Sequence, residues 1–148
     1  MINPGLFSSD TPEWATPQGI VDLFGPFDLD VCATPENAKA PQFFTRADDG
    51  LSQDWGEGLA WMNPPYGREI AKWVEKAARS KCRLVALIPV RTDTRWFQDF
   101  VMEYADIVFL VRGRIKFGGA GPAPFPSAIA VFDERRGNPE FRTLRQPS

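Results

Sequence analysis

Four consecutive residues, Asn63-Pro64-Pro65-Tyr66, could together hold a flat group that carries an amino substituent. Each proline fixes its own φ, lacks a backbone N–H and disfavours the α conformation in the residue before it. The carbonyl groups of Asn63 and Pro64 are therefore oriented by the covalent chain, and Tyr66 places an aromatic ring beside them. The same residues are also compatible with an ordinary helix start, because proline is common in a first helical turn.

The segments around this tetrapeptide predict the elements that position it. Leu59–Met62 is a short apolar run that predicts a strand. Arg68–Lys81 has apolar residues at helical spacing and charged residues elsewhere, which predicts an amphipathic helix. The continuous apolar run Arg83–Val90 is typical of a strand covered on both faces. A further helix is predicted to follow, capped by Thr92 or Asp93.

The segment before the tetrapeptide predicts a helix and a first strand. Thr16 followed by Pro17 is typical of a helix cap with proline at the first helical position, and the helix is expected to end at Gly25-Pro26. Phe27–Ala33 then predicts a buried strand, with Asp30 near its carboxyl end, where open α/β sheets bind their ligands. No glycine-rich loop follows, which argues against a dinucleotide-binding fingerprint or a P-loop.

The second half of the chain ends with two strands and no helix between them. Asp106–Val111 predicts a strand that continues through Arg112–Phe117, and a loop rich in glycine and proline leads to a last strand, Ser127–Phe132. Alternating strands and helices followed by such a pair predict an α/β fold. The expected architecture is a single, mostly parallel, Rossmann-like sheet with a C-terminal antiparallel hairpin.

Length and composition narrow the range of functions. The 148 residues suffice for one domain, assigned to residues 1–132 with an N-terminal arm at 1–19, followed by a charged and loose tail at 133–148. Histidine is absent, which excludes His-based triads and imidazole zinc sites. Cys32 and Cys82 lack metal-ligand spacing and are expected to be buried thiols. With no signal peptide and no long apolar run, we expect a cytoplasmic protein.

The charge is distributed unevenly along the chain. Residues 1–60 contain ten acidic and two basic residues, a net charge of −8, whereas the remainder has a net charge of +6. An acidic first half could suit a cationic small molecule, and a basic second half could suit phosphate groups. Both halves could equally be ordinary solvated surfaces.

The sequence resembles a known family over roughly residues 8–132. Asn63-Pro64-Pro65-Tyr66 is similar to the catalytic motif of methyltransferases that act on planar amino groups, and the wider sequence resembles the small phage-type DNA N-6-adenine methyltransferases (the Dam family). The supporting stretches are Trp14–Pro17, Phe27–Ala33, Asp48–Leu51, Trp61–Gly67, Arg91–Phe97, Gly113–Phe117 and Pro124–Ala128. The resemblance implies an S-adenosylmethionine-dependent fold with a seven-stranded, mainly parallel sheet.

The resemblance also implies roles for individual residues. The catalytic residues would be Asn63, Pro64, Pro65 and Tyr66, with the first two accepting hydrogen bonds from the target amino group and Tyr66 stacking on a flipped base. Asp30 would lie beside the cofactor, and Asp49 with Leu51 would meet the cofactor's adenine. The full set expected to bind S-adenosylmethionine is Trp14, Thr16, Pro17, Asp30, Cys32, Ala33, Asp49, Gly50 and Leu51. The missing glycine-rich loop is a departure from the broader superfamily.

Basic and aromatic residues of the second half are candidates for contacts with a nucleic acid. The expected substrate-binding residues are Arg91, Arg95, Arg114, Lys116 and Phe117, and Arg112 is a further candidate for a phosphate contact. Phe117 and Phe125 could provide a second stacking face for the base. Either ring could instead be packing in the core.

These observations together predict an adenine-specific DNA methyltransferase. It would transfer a methyl group from S-adenosylmethionine to the N6 amino group of an adenine flipped out of double-stranded DNA. We expect a phage- or prophage-encoded enzyme, acting in the bacterial cytoplasm without a metal or a membrane, as a monomer or a homodimer. The alternatives are the same chemistry on cytosine N4, RNA adenine or protein glutamine, and a nucleic-acid-binding protein without catalysis.

Overall fold

A computed structural model describes residues 15–118 and 121–147. The described residues form seven strands: β1 (Leu29–Asp30), β2 (Gln42–Phe43), β3 (Leu59–Met62), β4 (Arg83–Pro89), β5 (Ile107–Val111), β6 (Ser127–Phe132) and β7 (Glu140–Leu144). The helices are α1 (Gln18–Asp22), α2 (Ile70–Arg79) and α3 (Phe97–Met102), which has π-helical hydrogen bonding, and a single 3₁₀ turn spans Gly50–Ser52.

All seven strands belong to one sheet with the order β2-β1-β3-β4-β6-β5-β7. The strand β6 runs antiparallel to both of its neighbours, β4 and β5, and every other pairing is parallel. This mixed α/β sheet confirms the predicted fold class, including the antiparallel pair formed by β5 and β6. The strands predicted at Leu59–Met62 and Ser127–Phe132 have the observed bounds.

The core lies on both faces of the sheet. On one face, α2 packs its apolar side with Trp73 and Val74 against the sheet, and Trp73 stacks on Trp55 with a centroid separation of 6.1 Å. On the other face, α1 packs Ile20 and Val21 against the remaining apolar side chains. Because β4 is buried along nearly its whole length, the prediction of a strand covered on both faces is confirmed.

Two predicted helix starts are wrong in detail. Pro17 occupies the cap position of α1, without a side-chain cap, and the side chain of Thr16 is hydrogen-bonded elsewhere. Before α3, it is the hydroxyl of Thr94, not Thr92 or Asp93, that accepts the backbone N–H of Phe97. In both places a residue next to the predicted one occupies the cap position.

Two predicted strands are shorter than expected. Regular pairing of the first strand covers Leu29–Asp30 only, although the N–H of Val31 still donates to the carbonyl of Trp61. The strand at Ile107–Val111 does not continue through Arg112–Phe117, because Gly113 adopts a φ of +77° that breaks the extended conformation. Lys116 instead forms an isolated bridge with Pro122.

The prediction of a loose C-terminal tail is wrong. Residues Glu140–Leu144 form β7, which pairs in parallel with β5 along its whole length. The connection from β6 to β7 is held by the carboxylate of Asp106, which accepts the backbone N–H groups of Asp133, Arg135 and Arg136 at 2.7, 3.1 and 3.1 Å. These hydrogen bonds outweigh the effect of burial and hold the pKa of Asp106 below its usual value.

The same connection caps the carboxyl end of α2. The guanidinium of Arg135 donates to the carbonyls of Ala77 and Cys82 at 2.9 and 2.7 Å and to the hydroxyl of Ser80 at 3.2 Å. The last carbonyls of a helix lack partners within the helix, and a cation there also interacts favourably with the helix dipole. Arg135 therefore fastens the final strand to the body of the domain.

We expect Arg135→Ala to lower the free energy of unfolding by about 2 kcal/mol, because it removes charge-assisted hydrogen bonds to buried carbonyls. The matched control is Arg136→Ala. Among the described residues its guanidinium pairs with the exposed carboxylate of Glu134, and its loss should cost less than about 0.5 kcal/mol. Urea denaturation measures both values. Equal stability of the two variants would contradict the assigned role of Arg135.

None of the helices in the described parts of the chain is long and apolar enough to span a membrane. Within the same residues, no group of three or more cysteine and carboxylate side chains is arranged to hold a metal ion.

Candidate active site

The predicted catalytic residues lie at the carboxyl edge of the parallel strands. Asn63 follows the last residue of β3, and Asp30 is the last residue of the neighbouring strand β1. Carboxyl ends of parallel strands share one edge of a sheet, which is where α/β folds bind ligands. The structure therefore brings together Asn63 and Asp30, two polar residues distant in sequence, and both are buried.

The amide of Asn63 is held at both of its ends. Its Nδ2 donates a hydrogen bond of 3.1 Å to the hydroxyl of Thr16, and its Oδ1 accepts one of 3.0 Å from the hydroxyl of Tyr66. Thr16 and Asn63 are 3% and 5% exposed, so an unpaired amide here would be costly. The two hydroxyl groups thereby fix the amide plane and direct its oxygen towards Tyr66.

The side chain of Tyr66 is folded inwards against the protein. Its ring contacts that of Phe125 edge-on, with a centroid separation of 5.2 Å, and its hydroxyl also lies 3.5 Å from the carbonyl of Leu87. Burial raises the pKa of Tyr66 well above its usual value, so the phenol remains protonated and acts as a donor. The next residue, Gly67, has a φ of +107°, a conformation that strongly favours glycine.

Pro64 is buried, and its carbonyl accepts no hydrogen bond from the part of the chain that the structure describes. Proline lacks an N–H, so this residue presents an acceptor and no donor. The site thus contains two acceptors on adjacent residues, the Asn63 amide oxygen and the Pro64 carbonyl oxygen.

Among the described residues, Asp30 is the only carboxylate in the lining of a small cavity next to Asn63. Its two oxygens accept the backbone N–H groups of Cys32 and Lys39 at 3.2 and 3.0 Å. Burial raises the pKa of Asp30 to about 7, although these two hydrogen bonds act in the opposite direction. The carboxyl group therefore changes its charge near neutral pH.

The cavity itself is narrow. Its volume is about 10 Å³, and its lining includes Thr16, Asp30, Cys32, Lys39 and Asn63. That volume corresponds to roughly one water molecule. Thr16 and Cys32, both expected cofactor residues, thus lie with Asp30 in the same wall as the candidate catalytic amide.

The remaining expected cofactor residues lie around the end of β1. Gly50 approaches the carbonyl of Val31 so closely that a Cβ at this position would lie 2.3 Å from its oxygen. The turn from Asp49 to Leu51 therefore packs directly onto the chain that leaves Asp30, and Ala33 is buried nearby. Asp49 itself has a φ of 54° and is exposed. Pro17 is half-buried, and Trp14 lies outside the described residues.

The basic residues predicted to contact substrate lie in different places. Arg91 lines a cavity beside Tyr66, whereas Arg95 is exposed just before α3. The guanidinium of Arg114 lies 3.4 Å from the carbonyl of Ala123, which ties it to the loop that carries Phe125. Lys116 is exposed on the same loop.

The two phenylalanines considered for stacking differ in position. Phe117 is 2% exposed and packs in the core with α1, so the structure offers no free face for a base and we assign its ring to packing. Phe125 is also buried, but it contacts the ring of Tyr66 directly. The core-packing alternative thus applies to Phe117, while Phe125 supports the candidate site from behind.

Sequence reasoning did not identify Thr16 as a partner of Asn63. In the sequence Thr16 precedes a proline, which predicts a helix cap, and the family resemblance implies a cofactor contact. Nor did the sequence single out Lys39, whose backbone N–H fixes Asp30. Both interactions join segments far apart in sequence, and no local pattern carried a signal for them.

Comparisons with known proteins match this chain to one family. The model of the family described as DNA N-6-adenine-methyltransferase (Dam) matches residues 6–135. The DNA N-6-adenine-methyltransferase of Haemophilus phage HP1 is 32% identical over 125 residues, which cover 79% of this chain and 72% of that protein. The DNA N-6-adenine-methyltransferase of Escherichia phage T1 is 28% identical over 105 residues, 66% of this chain and 44% of that protein.

One solved structure, a chain of a type I R-M system, is similar over 76% of this chain and 29% of its own length. The TM-score is 0.43 and the sequence identity is 16%, a likeness too remote to bear on function.

Proposed function

The chain belongs to the DNA N-6-adenine-methyltransferase (Dam) family, and we propose that it transfers a methyl group from S-adenosylmethionine to the N6 amino group of an adenine flipped out of double-stranded DNA. The main observation that supports the assignment of this activity to particular residues is the pair of adjacent acceptors, the Asn63 amide oxygen and the Pro64 carbonyl. The hydroxyl of Tyr66 lies 3.0 Å from the first of them.

The chemical difficulty is that an aromatic amino group is a weak nucleophile, because its lone pair is delocalised into the ring. Two fixed acceptors would bind both amino hydrogens. As the nitrogen becomes tetrahedral and positively charged, these hydrogen bonds strengthen, so the transition state is stabilised more than the ground state. Thr16 fixes the amide plane of Asn63, so reorganisation of this residue is limited to the release of its oxygen by the Tyr66 hydroxyl. This mechanism requires no strong base, because the methylated, positively charged nitrogen is strongly acidic and would lose its proton to solvent once the bond from sulfur to the methyl group has broken.

The family implies a methyl donor, and the residues around Asp30 fit S-adenosylmethionine. When bound, this cofactor supplies an electrophilic methyl group on a sulfonium centre. The carboxyl group of Asp30 could form a hydrogen bond with a polar group of the cofactor. The buried hydroxyl of Thr34 has no hydrogen-bond partner among the described residues, and a bound ligand could supply one. The turn at Asp49–Leu51 provides further surface, since a cofactor of this size extends well beyond the narrow cavity.

The target base must leave the duplex to reach these groups, at a cost of a few kcal/mol. The ring of Tyr66 would stack on the extruded adenine and offset part of that cost, by roughly 1–3 kcal/mol. Because Phe125 contacts this ring edge-on, it would hold the stacking surface in place. The acceptors of Asn63 and Pro64 and the ring of Tyr66 would together bind, orient and activate one amino group.

Mass spectrometry of digested DNA tests the proposal. Purified protein is incubated with unmethylated double-stranded DNA and S-adenosylmethionine, and the nucleosides are then quantified. We expect N6-methyl-2′-deoxyadenosine, dependent on the cofactor. N4-methyl-2′-deoxycytidine as the product, or methylation of RNA alone, would contradict the assignment of the substrate. Sequencing of the modified DNA then identifies the target sequence.

The hydrogen bond between Thr16 and Asn63 leads to a separate prediction. Thr16→Val removes the hydroxyl at nearly constant shape and leaves Nδ2 of Asn63 unpaired, so we expect kcat to fall about tenfold, equivalent to about 1.4 kcal/mol. Thr16→Ser retains the hydroxyl and should have nearly the wild-type kcat. Steady-state kinetics at saturating DNA and cofactor distinguish the two variants. If Thr16→Val alters only the KM for S-adenosylmethionine, Thr16 is a cofactor contact and does not position Asn63.

A further inference from the structure

A cavity of about 410 Å³ opens beside Tyr66. We infer that it binds a phosphodiester group of the target DNA strand adjacent to the flipped adenosine. This inference rests on the proposed function and identifies where the strand would be held. The residues that carry it are Tyr66, Gly67, Arg68, Arg91, Thr94 and Trp96, all of which line the cavity.

The lining of this cavity has the charge that a phosphate requires. Arg68 and Arg91 both contribute to it and both are exposed, and the described residues of the lining include no acidic side chain. Within residues 15–118 and 121–147, neither guanidinium forms an ion pair. On the adjoining helix α2, by contrast, Arg79 is paired with Glu75. The cavity thus presents two uncompensated cations.

The positions of the two arginines are defined by the backbone. The N–H of Arg91 donates to the carbonyl of Pro89 at 3.0 Å, and the carbonyl of Arg91 accepts the N–H and hydroxyl of Thr94 at 3.2 and 2.7 Å. Arg68 follows Gly67, whose positive φ turns the chain immediately after Tyr66. A side chain on a fixed backbone loses less entropy on binding than one on a mobile loop.

The location matches the path of a strand whose base is stacked on Tyr66. This residue lines the cavity and also contacts Asn63, so the two sites share one wall. A base held by Asn63 is covalently linked to phosphates within a nucleotide's length. The cavity has room for a phosphate with part of its sugar, and Trp96, 8% exposed, provides an apolar wall for the sugar. Guanidinium groups bind phosphate oxygens in bidentate geometry.

The salt dependence of DNA binding tests this site. A fluorescent duplex with the mapped target sequence is titrated with protein at several NaCl concentrations. We expect Arg68→Ala and Arg91→Ala each to reduce the magnitude of the slope of log K against log[NaCl] by about 1. Arg68→Lys and Arg91→Lys should retain the slope, since they keep the charge. Lys81→Ala is the control, because Lys81 is exposed at the far end of α2.

A duplex with one uncharged methylphosphonate next to the target adenine provides a second measurement. We expect this linkage to weaken binding by the wild-type protein about tenfold, because it lacks the negative charge that the two arginines would bind. The Arg68→Ala, Arg91→Ala double variant lacks these arginines, so the linkage should have little effect on it. Equal weakening of both proteins, or alanine variants with the wild-type salt slope, would overturn the inference. Both arginines are exposed, and thermal melting together with S-adenosylmethionine affinity verifies that each variant is folded.

The two measurements distinguish a failure of the phosphate site from a failure of the proposed function. If the wild-type protein methylates adenine and the alanine variants show no change in salt slope, the phosphate site is wrong and the function stands. If the wild-type protein produces no methylated adenine, the function itself is wrong.

Discussion

Asn63→Ala is expected to reduce kcat for methyl transfer by about 10²–10³-fold, the loss observed when one preorganised hydrogen-bonding group is removed from an enzyme's transition-state site. The variant lacks the amide oxygen that would accept one amino hydrogen of adenine. The affinity for S-adenosylmethionine should remain close to that of the wild type, because the residues around Asp30 that we propose to bind it are unchanged. Single-turnover kinetics with enzyme in excess over DNA, at saturating cofactor, give the rate of the chemical step.

Asn63→Asp provides the control for this variant. The carboxylate keeps acceptor oxygens at the same position, and the hydroxyl groups of Thr16 and Tyr66 can both donate to it. We therefore expect Asn63→Asp to retain more activity than Asn63→Ala. Substantial turnover by the alanine variant would show that the acceptor oxygen of Asn63 is not required, and loss of cofactor binding would point to a structural role.

Tyr66→Ala is expected to have the second-largest effect. Removal of the ring eliminates the stacking surface, worth roughly 1–3 kcal/mol per base, so kcat/KM for DNA should fall about 10–100-fold. Tyr66→Phe keeps the ring and should lose far less. Fluorescence of 2-aminopurine placed at the target position reports whether the base has been flipped. Equal impairment of the alanine and phenylalanine variants would contradict stacking as the explanation.

The structure adds a role for the hydroxyl of Tyr66 that the sequence did not indicate. It donates to the Asn63 oxygen in the free protein and so occupies the acceptor that we propose for the adenine amino group. A buried oxygen without this partner would be destabilising. Tyr66→Phe should therefore lower the melting temperature slightly, while it frees the acceptor for the substrate. The proposed binding of the base to this oxygen would require the Tyr66 hydroxyl to move away or to share the acceptor.

The regular parts of the fold were predictable because their signals are local. The continuous apolar run of β4 and the helical spacing of α2 identify these elements without knowledge of their neighbours. The tetrapeptide from Asn63 was recognisable for the same reason, since the two prolines and the ring are adjacent in sequence. The position of Asp30 beside Asn63 follows from the parallel pairing of their strands.

The remaining features depend on contacts across the chain. The hydrogen bond from Asn63 to Thr16 spans 47 positions, and those from Arg135 to the carboxyl end of α2 span more than 50. Composition marked the C-terminal segment as charged, but its order comes from Asp106 and β5, whose positions only the folded sheet defines. The sequence predicts a substrate contact for Phe117, but its ring is buried. Burial depends on the elements that pack around the ring, and no local pattern shows it.

The single reversed strand has a consequence for the evolution of specificity. Because β6 is antiparallel to β4, the segment that enters it lies at the catalytic edge of the sheet, whereas the segment that leaves it is fastened at the opposite edge by Arg135 and Asp106. We therefore expect insertions into the entering loop, between Val111 and Ser127, to leave the anchored end of β6 intact. Exchange of this loop between relatives, followed by sequencing of the methylated DNA, would show whether the loop contributes to the choice of target sequence.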